Sequence, residues 1–596
     1  MKTKLIALLM ILALTAACFA GCGAASADTQ SAANENSAAA ETSEAAEETE
    51  AAVETDAAEP AAPEASEAEE AEASAAEAEA EPAEAEVLEP LQYPISDETV
   101  ELTMWTTEPT LGPLRAWGGD YGIDVYEDYD SIQAAAEITG VSIAFECAGQ
   151  MEASTLFSLH VASGDYADIL ALVDSYYSGG IVNAYNDDVI MDLTENVEEW
   201  APDYINMLCE DPELAKASRN DEGQLLAFDQ LYNHFSMVQG DVIRTDWLEQ
   251  VGMDVPTTVD ELHEVLTAFQ SEIGCANPFY YNSACKQLTT AFNVVRYQDL
   301  ASNDLGLYQI DGEAMTTFTS ENFKAYLTTM SQWYSEGLID PDFVSVEAVD
   351  NGGHDEELLQ ADELGCWWAN ANSMSNYYTM CPAEDFDMVP LNIMAEGNDA
   401  NHVYPITRLF TIGTCVTGTC LSSSCSDPEA AMGWLNFWYT EQGVMMQNYG
   451  IEGLSYNLVD GEVEYTDVIT NSEFDIPENV ALLLYSTAAA SWGTAIQERT
   501  WCFSSDVQVE SIEAWTEALD GIWAFPTTTL TTDESEVIAA NAGDVCTYIA
   551  ESVPRFIMGE YNLESDWDTY VENVNAMGMP ECIEVYQASL DRFNAR

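Results

Sequence analysis

From residue 100 the chain switches repeatedly between two hydrophobic periods. "VELTMWT" (100–106) puts Val100, Leu102 and Met104 at every second position, the spacing of a half-buried strand. "DSIQAAAEITG" (130–140) spaces its apolar residues as a helix does and closes on Gly140. "VSIAFECAG" (141–149) returns to strand, "ASTLFSLHVASG" (153–164) reads as a second helix and "ADILALV" (167–173) as a third strand. This βαβαβ order predicts an α/β fold with a parallel sheet covered by helices. Ligands of such sheets sit beyond the carboxyl ends of the strands. Those ends are Trp105 to Glu108, including Thr107, and Asp174 to Tyr177.

The N-terminal stretch is patterned differently. Lys2 and Lys4 precede an apolar run from Leu5 to Leu14, the charged and hydrophobic regions of a secretory signal. That run is too short to span a bilayer. Ala20 and Gly21 directly before Cys22 fit a bacterial lipoprotein cleavage box, in which the thiol receives a diacylglyceryl group and becomes the new N-terminus. Cys18 is the rival, but Thr15 sits where that box takes a bulky apolar residue. Residues 1–22 thus read as a lipoprotein signal. From Gly23 to Pro90 the chain carries 21 Asp and Glu and no Lys or Arg. Such one-signed, weakly hydrophobic sequence cannot offset chain entropy, so residues 23–92 are expected to form a disordered tether reaching roughly 45 Å. The lipid is the one membrane contact expected, and its two acyl chains suffice for anchoring.

The 506 residues from Leu91 onward exceed a single core and suit two lobes. They hold 86 acidic against 12 basic residues, a formal charge of −74. A nucleic-acid partner is excluded by that balance, because phosphate binding needs a basic surface. The self-repulsion it implies is relieved by salt or divalent cations. A monomer is expected. Twelve cysteines lie beyond the signal; export would allow disulfides, whereas their scattered spacing within apolar patterns suits buried free thiols.

"DEGQLLAFDQ" (221–230) followed by "VIRTDWLEQVGMDVPTTVDELHEVLTAFQ" (242–270) resembles the extracellular solute-binding proteins of ABC importers. So do "FTSENFKAYLTTMSQWYSEGLIDPDF" (318–343), "DPEAAMGWLNFWYTEQGVMMQNYGIEG" (427–453) and "ESDWDTYVENVNAMGMPECIEVYQ" (564–587). The motifs come in the family's order across nearly the whole body, and the large lipoproteins of carbohydrate importers are the most similar. The resemblance implies a two-lobed, periplasmic-binding-protein-like fold of type II, distantly similar to maltose-binding protein, closing on ligand about a hinge. One lobe would comprise residues 93–235 and 403–455, the other 236–402 and 456–596. The function implied is capture of an oligosaccharide on the outer face of a bacterial membrane and its delivery to an ABC permease. Thr258 with Glu261 predicts a capping box, and Trp434, Phe437 and Trp438 at helical spacing predict core.

Sugars are held by aromatic faces and planar polar side chains, so both are sought near strand ends and the hinge. Asp174, Tyr176 and Tyr177 fall where maltose-binding protein presents aromatic and acidic sugar contacts. Tyr232 and His234 lie just before the hinge, and Trp105 and Thr107 end the first strand. "ELGCWWANANSMSNYY" (363–378) resembles that protein's tryptophan-bearing strand and turn, which implicates Trp367, Trp368 and Asn370. Successive strand residues face opposite ways, so one of the two tryptophans should meet ligand and the other anchor the core. Arg244 either binds a hydroxyl pair or carboxylate or pairs locally with Asp246; Arg408 and Arg499 share that ambiguity. Many relatives carry a calcium-like loop after the Pro-Thr-Thr helix, but "FQSEIGCANPFYY" here supplies too few oxygen ligands.

No G-x-S-x-G, H-E-x-x-H, phosphate loop with Lys or C-x-x-C occurs. No catalytic residue, metal or cofactor is therefore assigned. Carboxylate pairs at glycosidase spacing arise by chance among 86 acids, so they do not discriminate. A receptor of the same fold for peptides or another solute, and a surface glycan hydrolase or adhesin, are the alternatives. Mass spectrometry of the mature N-terminus should find a diacylglyceryl group on Cys22; the same group on Cys18, or none, refutes the assignment.

Overall fold

The computed structural model describes residues 87–596 apart from 110–120, 150–151, 165, 234–235, 282–286, 296–303, 346–353, 399 and 403–412. The signal, Cys22 and the tether to residue 86 lie outside the described residues, as do His234 and Arg408. The body begins earlier than the composition suggests. Leu88 exchanges two hydrogen bonds with the Asn206 carboxamide (2.8 and 2.9 Å), and the Leu91 N–H donates to Asp203. Residues 87–92, expected in the tether, are therefore held against the folded part.

Nine strands carry the architecture: β1 Val100–Thr107, β2 Val141–Ala148, β3 Ile169–Leu170, β4 Phe228–Tyr232, β5 Gln239–Arg244, β6 Cys366–Asn370, β7 Met388–Pro390, β8 Gly413–Leu421 and β9 Thr494–Ala495. The helices that matter below are α1 Asp130–Thr139, α2 Ala153–Ser163, α3 Val173–Tyr176, α4 Val259–Ala268, α5 Pro428–Phe437, α6 Asp506–Glu517, α7 Thr532–Ile557 and α8 Met579–Asn594. The first sheet has the order β9-β4-β8-β3-β1-β2, with β1 parallel to both β2 and β3 as the sequence predicts. Gly140 closes α1 at φ 76°, a left-handed conformation that suits glycine. The third strand is shorter than its apolar run. Its ladder spans Ile169–Leu170, and Leu172 at φ 59° then turns the chain into α3. Only β8 runs against its neighbours, and it shifts register between Cys415 and Thr419. The second sheet is small, β6-β5-β7, with β5 antiparallel to both partners.

Each sheet organises its own core. Leu102, Met104, Ile143, Ile169, Phe228 and Leu231 pack under α5, whose Ala430 to Phe437 are all buried. Trp434 and Trp438 belong to this core, as their spacing predicts. Ile243 of the second sheet packs with Leu262 and Leu266 of α4 and with Val545, Ile549 and Phe556 of α7. The other face of that sheet packs Val242 and Trp367 against Ile512 and Trp515 of α6. These two lobes do not divide at residue 455. Trp492 lies in the first core, β9 pairs with β4, and Ile476, Ala481 and Leu484 pack with Tyr121 and Ile123. Residues 456–495, expected in the second lobe, thus pack with the first, and the chain changes lobe after Ala495.

Two smaller expectations resolve on local hydrogen bonding. Thr258 Oγ1 accepts the Glu261 N–H (3.2 Å), but the Glu261 carboxylate reaches back one residue further than a capping box requires, to the N–H and hydroxyl of Thr257 (both 2.9 Å). The ten described body cysteines are all free thiols. Burial pushes several of them up, Cys147 and Cys275 to about 11 and Cys546 to about 12.

Asp168 ties this lobe together. Its carboxylate accepts the N–H and hydroxyl of Thr103 (2.8 and 2.9 Å) and those of Ser426 (both 2.7 Å), joining β1 to the turn that starts α5. Burial pushes the acid up, but the bonds from Ser426 and Thr103 outweigh it and leave it below the ordinary carboxylate value. A depressed folded pKa means that the contribution is complete at neutral pH and is lost as pH falls below the unfolded value of about 3.9 through the folded one. Asp168→Asn should cost about 1–3 kcal/mol at pH 7. Denaturant melts should show that cost shrinking on acidification below about pH 4; an unchanged difference would mean that the ionised carboxylate is not what holds the turn.

Candidate ligand cleft

The parallel strands of the first lobe all finish on one edge, at Thr107, Ala148, Leu170, Tyr232 and Ala495. Two segments run from that edge to the second lobe, 233–238, of which 234 and 235 lie outside the described residues, and 496–505. Asn233 binds one to the other. Its N–H donates to Ala495 O (3.1 Å), its Nδ2 to Glu498 Oε2 (2.8 Å), and its Oδ1 accepts the Gln497 N–H (2.9 Å). On the far side the Met237 N–H donates to Thr516 Oγ1 (2.9 Å) and Gln508 Nε2 to Ala371 O (2.7 Å). Both ends of each crossing are thereby fixed while the stretches between them carry no ladder.

The second lobe meets these crossings with the carboxyl end of β6. Cys366, Trp368 and Asn370 share one strand face, Trp367 and Ala369 the other. Trp367 is fully buried, edge-on to Tyr377 with ring centroids 5.9 Å apart. Trp368 is half-buried and lines a cavity of about 40 Å³ with Gln239, Asp241, Asn392, Asn401 and Trp515. The Trp515 indole N–H donates to Asp241 O (3.2 Å), and the ring lies so close to Gly240 that a Cβ there would stand 2.4 Å from it. Glycine is what lets α6 seat its tryptophan on the strand. A space of this size takes water but no sugar ring. Asn392, Asn401 and Asp241 line the same wall as Trp368.

The sequence candidates separate accordingly. Thr107, Asp174, Tyr176, Tyr177 and Tyr232 lie along the first-lobe edge; Asp174 is exposed and the others half-buried. The Tyr177 hydroxyl donates to Asp187 Oδ2 (2.7 Å); partial burial and that carboxylate push the phenol to about 12. Trp105 is only 4% exposed, packed edge-on against Phe157 (4.8 Å) and Tyr176 (5.9 Å), so it supports the edge rather than forming it. Asn370 is buried at the end of β6 opposite Gln239. Arg244 leaves the candidate set. It is 0% exposed, its Nε donates to Asp246 (2.7 Å) and its Nη1 to Asp362 (2.9 Å), and its plane lies over Trp247 and Phe386. Burial alone would push this guanidinium down, but the two carboxylates more than compensate and raise it. Local pairing, the second of the two sequence readings, accounts for it. Asn392, Asn401 and Trp515 were not signalled by sequence. "ESIEAWTEAL" reads only as an amphipathic helix, and nothing in it shows that the helix folds back on β5.

No protein-family model matches the chain. Lipoprotein LipO of Bacillus subtilis is 21% identical over 366 residues, 60% of this chain and 69% of that protein. The fructooligosaccharide ABC transporter substrate-binding protein FusA of Streptococcus pneumoniae is 21% identical over 477 residues, 74% of this chain and 82% of its own. The structure of FusA in complex with kestose superposes with a TM-score of 0.57 at 17% identity, covering 83% of this chain and 99% of that one. An HMO-binding ABC-transporter-associated solute-binding protein from Bifidobacterium longum infantis reaches 0.65 at 17% identity, covering 83% and 99%. This chain has the solute-binding-protein fold. The two lobes, and the cleft between them, follow from that fold as well as from the sheets. The two curated relatives are a lipoprotein and a transporter substrate-binding protein, and neither is named as an enzyme.

The two tryptophans of β6 should respond differently to substitution. Trp368→Ala should weaken sugar binding by about 1–3 kcal/mol, by analogy with base stacking on aromatic rings, with little effect on the fold. Trp367→Ala should cost about 3–5 kcal/mol of stability. Calorimetric titration and denaturant melts on both variants check this, and a Trp368→Ala protein with unchanged affinity for a bound sugar removes this face from the site.

Proposed function

We propose that this chain is an extracellular, lipid-anchored substrate-binding protein that captures an oligosaccharide between its lobes and delivers it to the permease of an ABC importer. The observation that carries the reading is the second-lobe wall, where the half-buried face of Trp368 stands beside Asp241, Asn392 and Asn401 at a strand end. An aromatic plane takes the C–H face of a sugar, and carboxamides and a carboxylate take its hydroxyls. The fructooligosaccharide, kestose and HMO named for the relatives belong to the same chemical class.

The wall is too shallow to enclose a sugar alone, so closure of the first-lobe edge completes the site. Thr107, Asp174, Tyr176, Tyr177 and Tyr232 are the residues it would bring; His234, also a candidate, lies outside the described residues. Ligand stabilises the closed form by as much as it binds that form better than the open one. Upstream, the lipid on Cys22 and the acidic tether would keep the receptor near the membrane and its permease. Among the described residues no helix is long and apolar enough to cross a membrane.

A thermal-shift screen of the mature protein against a glycan library tests the reading. A ligand at a hundred times its Kd that binds only the folded state adds about 2.7 kcal/mol. At least one oligosaccharide should raise the melting temperature without being cleaved. Stabilisation by peptides alone would reassign the receptor, and release of shorter glycans would make the protein a hydrolase.

A further inference from the structure

Cations are scarce in this protein, 14 against 107 acids, and three of the six described arginines hold a carboxylate, whereas Arg219 and Arg555 bond Gly223 O and the Tyr561 hydroxyl. Arg244 takes Asp246 and Asp362, Arg592 takes Glu534 and Asp221, and Arg596 takes Asp221. Arg499 departs from this. It stands on the short helix Gln497–Phe503, four residues past β9 on the crossing segment, and its side chain makes one hydrogen bond, from Nη1 to Ile496 O (2.8 Å). Among the described residues the guanidinium has no second hydrogen bond and no carboxylate within ion-pair distance. Its backbone is pinned by the Tyr465 hydroxyl, which donates to Arg499 O (2.6 Å), and Tyr232, Tyr449 and Tyr465 are its nearest ionisable neighbours. The adjacent Glu498 is turned to Asn233 instead.

We infer that Arg499 is a specificity-determining residue of the cleft, and that the oligosaccharide it reads carries a carboxylate, as a uronic or sialic acid does. The inference rests on the carbohydrate-receptor reading above. Three observations carry it. Tyr232 and Ala495 are paired neighbours on the first-lobe edge where ligands of parallel sheets sit, and Arg499 follows directly from that edge. A guanidinium fork matches the two oxygens of a carboxylate, and the bond is stronger in a partly buried site than one to neutral hydroxyls. No described acid forms an ion pair with this guanidinium, so a ligand carboxylate would displace none. Burial pushes this guanidinium below its usual value, where Arg244 and Arg592 are raised by their acids. The net negative charge does not oppose the pairing at close range, because fields between exposed charges are screened beyond roughly 8 Å at physiological salt.

The test is calorimetric titration of the intact mature protein, at about 0.15 M salt, with matched pairs: a galacturonate oligomer against the galactose oligomer of equal length, and sialyllactose against lactose. The acidic member of at least one pair should bind tenfold or more tightly. Arg499→Gln should abolish that preference while changing affinity for the neutral member less than about threefold, and Arg499→Lys should restore part of it, as expected when charge is kept and the fork is lost. Neutral members binding as tightly as acidic ones to the unaltered protein overturn the inference whether or not the variants fold, and leave the receptor reading intact. A preference that survives Arg499→Gln also overturns it. Failure of every glycan, neutral or acidic, to bind overturns the receptor reading and this inference with it.

Discussion

Asn233 makes three hydrogen bonds to one neighbouring segment, bonding residues 495, 497 and 498 through its backbone N–H, Oδ1 and Nδ2. It is the first residue after β4, and its partners are the last residue of β9 and the start of the second crossing. The two crossings therefore leave the first lobe as one unit. Without that link the short β9, which pairs with β4 through only Thr494 and Ala495, would have little to hold its end in register. The position of Tyr232, of the 497–503 helix and of everything they present to the cleft depends on this one carboxamide. Its demands are specific: an aspartate could not donate to Glu498, and would set two carboxylates against each other.

The charge excess shapes the rest. Three of the few cations join parts of the chain distant in sequence. Arg592 of α8 holds Glu534 at the start of α7 and Asp221 of the first lobe at once, and Arg596 adds a second contact to Asp221. Arg244 joins Asp246 on the next helix to Asp362 before β6 while covering Trp247. In such a field an arginine is a fastener by default. Acids without a cation are held by neutral donors instead, as Asp168 is by Thr103 and Ser426 and Asp241 by the Leu288 N–H.

How much of this could be read from sequence depends on how local the determining signal is. The alternation in "VELTMWT", the glycine after α1 and the core spacing of Trp434, Phe437 and Trp438 are local, and the elements they predict are the ones found. The lobe boundary was not local. Trp492 joins the first core through contacts with Phe145 and Trp434, more than fifty residues away, and no period within 456–495 records that. The same holds for the site. Trp367 and Trp368 could be assigned opposite faces because strand alternation requires it. Which face met the cavity was decided by Trp515, some 150 residues later, seating on Gly240. Arg244 shows the converse, where a rare residue draws attention but its two acids, one of them adjacent in sequence, had already accounted for it.

The alternation on β6 also couples stability to recognition. Trp367 locks the strand into the second core and Trp368 faces the cavity from the next backbone position, so the exposed ring inherits its orientation from the buried one. A wall this rigid and this shallow cannot gain affinity by wrapping its ligand. In the proposed receptor, affinity would come from bringing the first-lobe edge over the ligand, and the free energy available for binding would be reduced by whatever the crossings cost to bend. That places residues such as Asn233, which reach no ligand, among those that set affinity: they fix how the first-lobe edge is presented and how freely it can move. Contact residues then decide which sugar is held, while the crossings decide how tightly any of them can be.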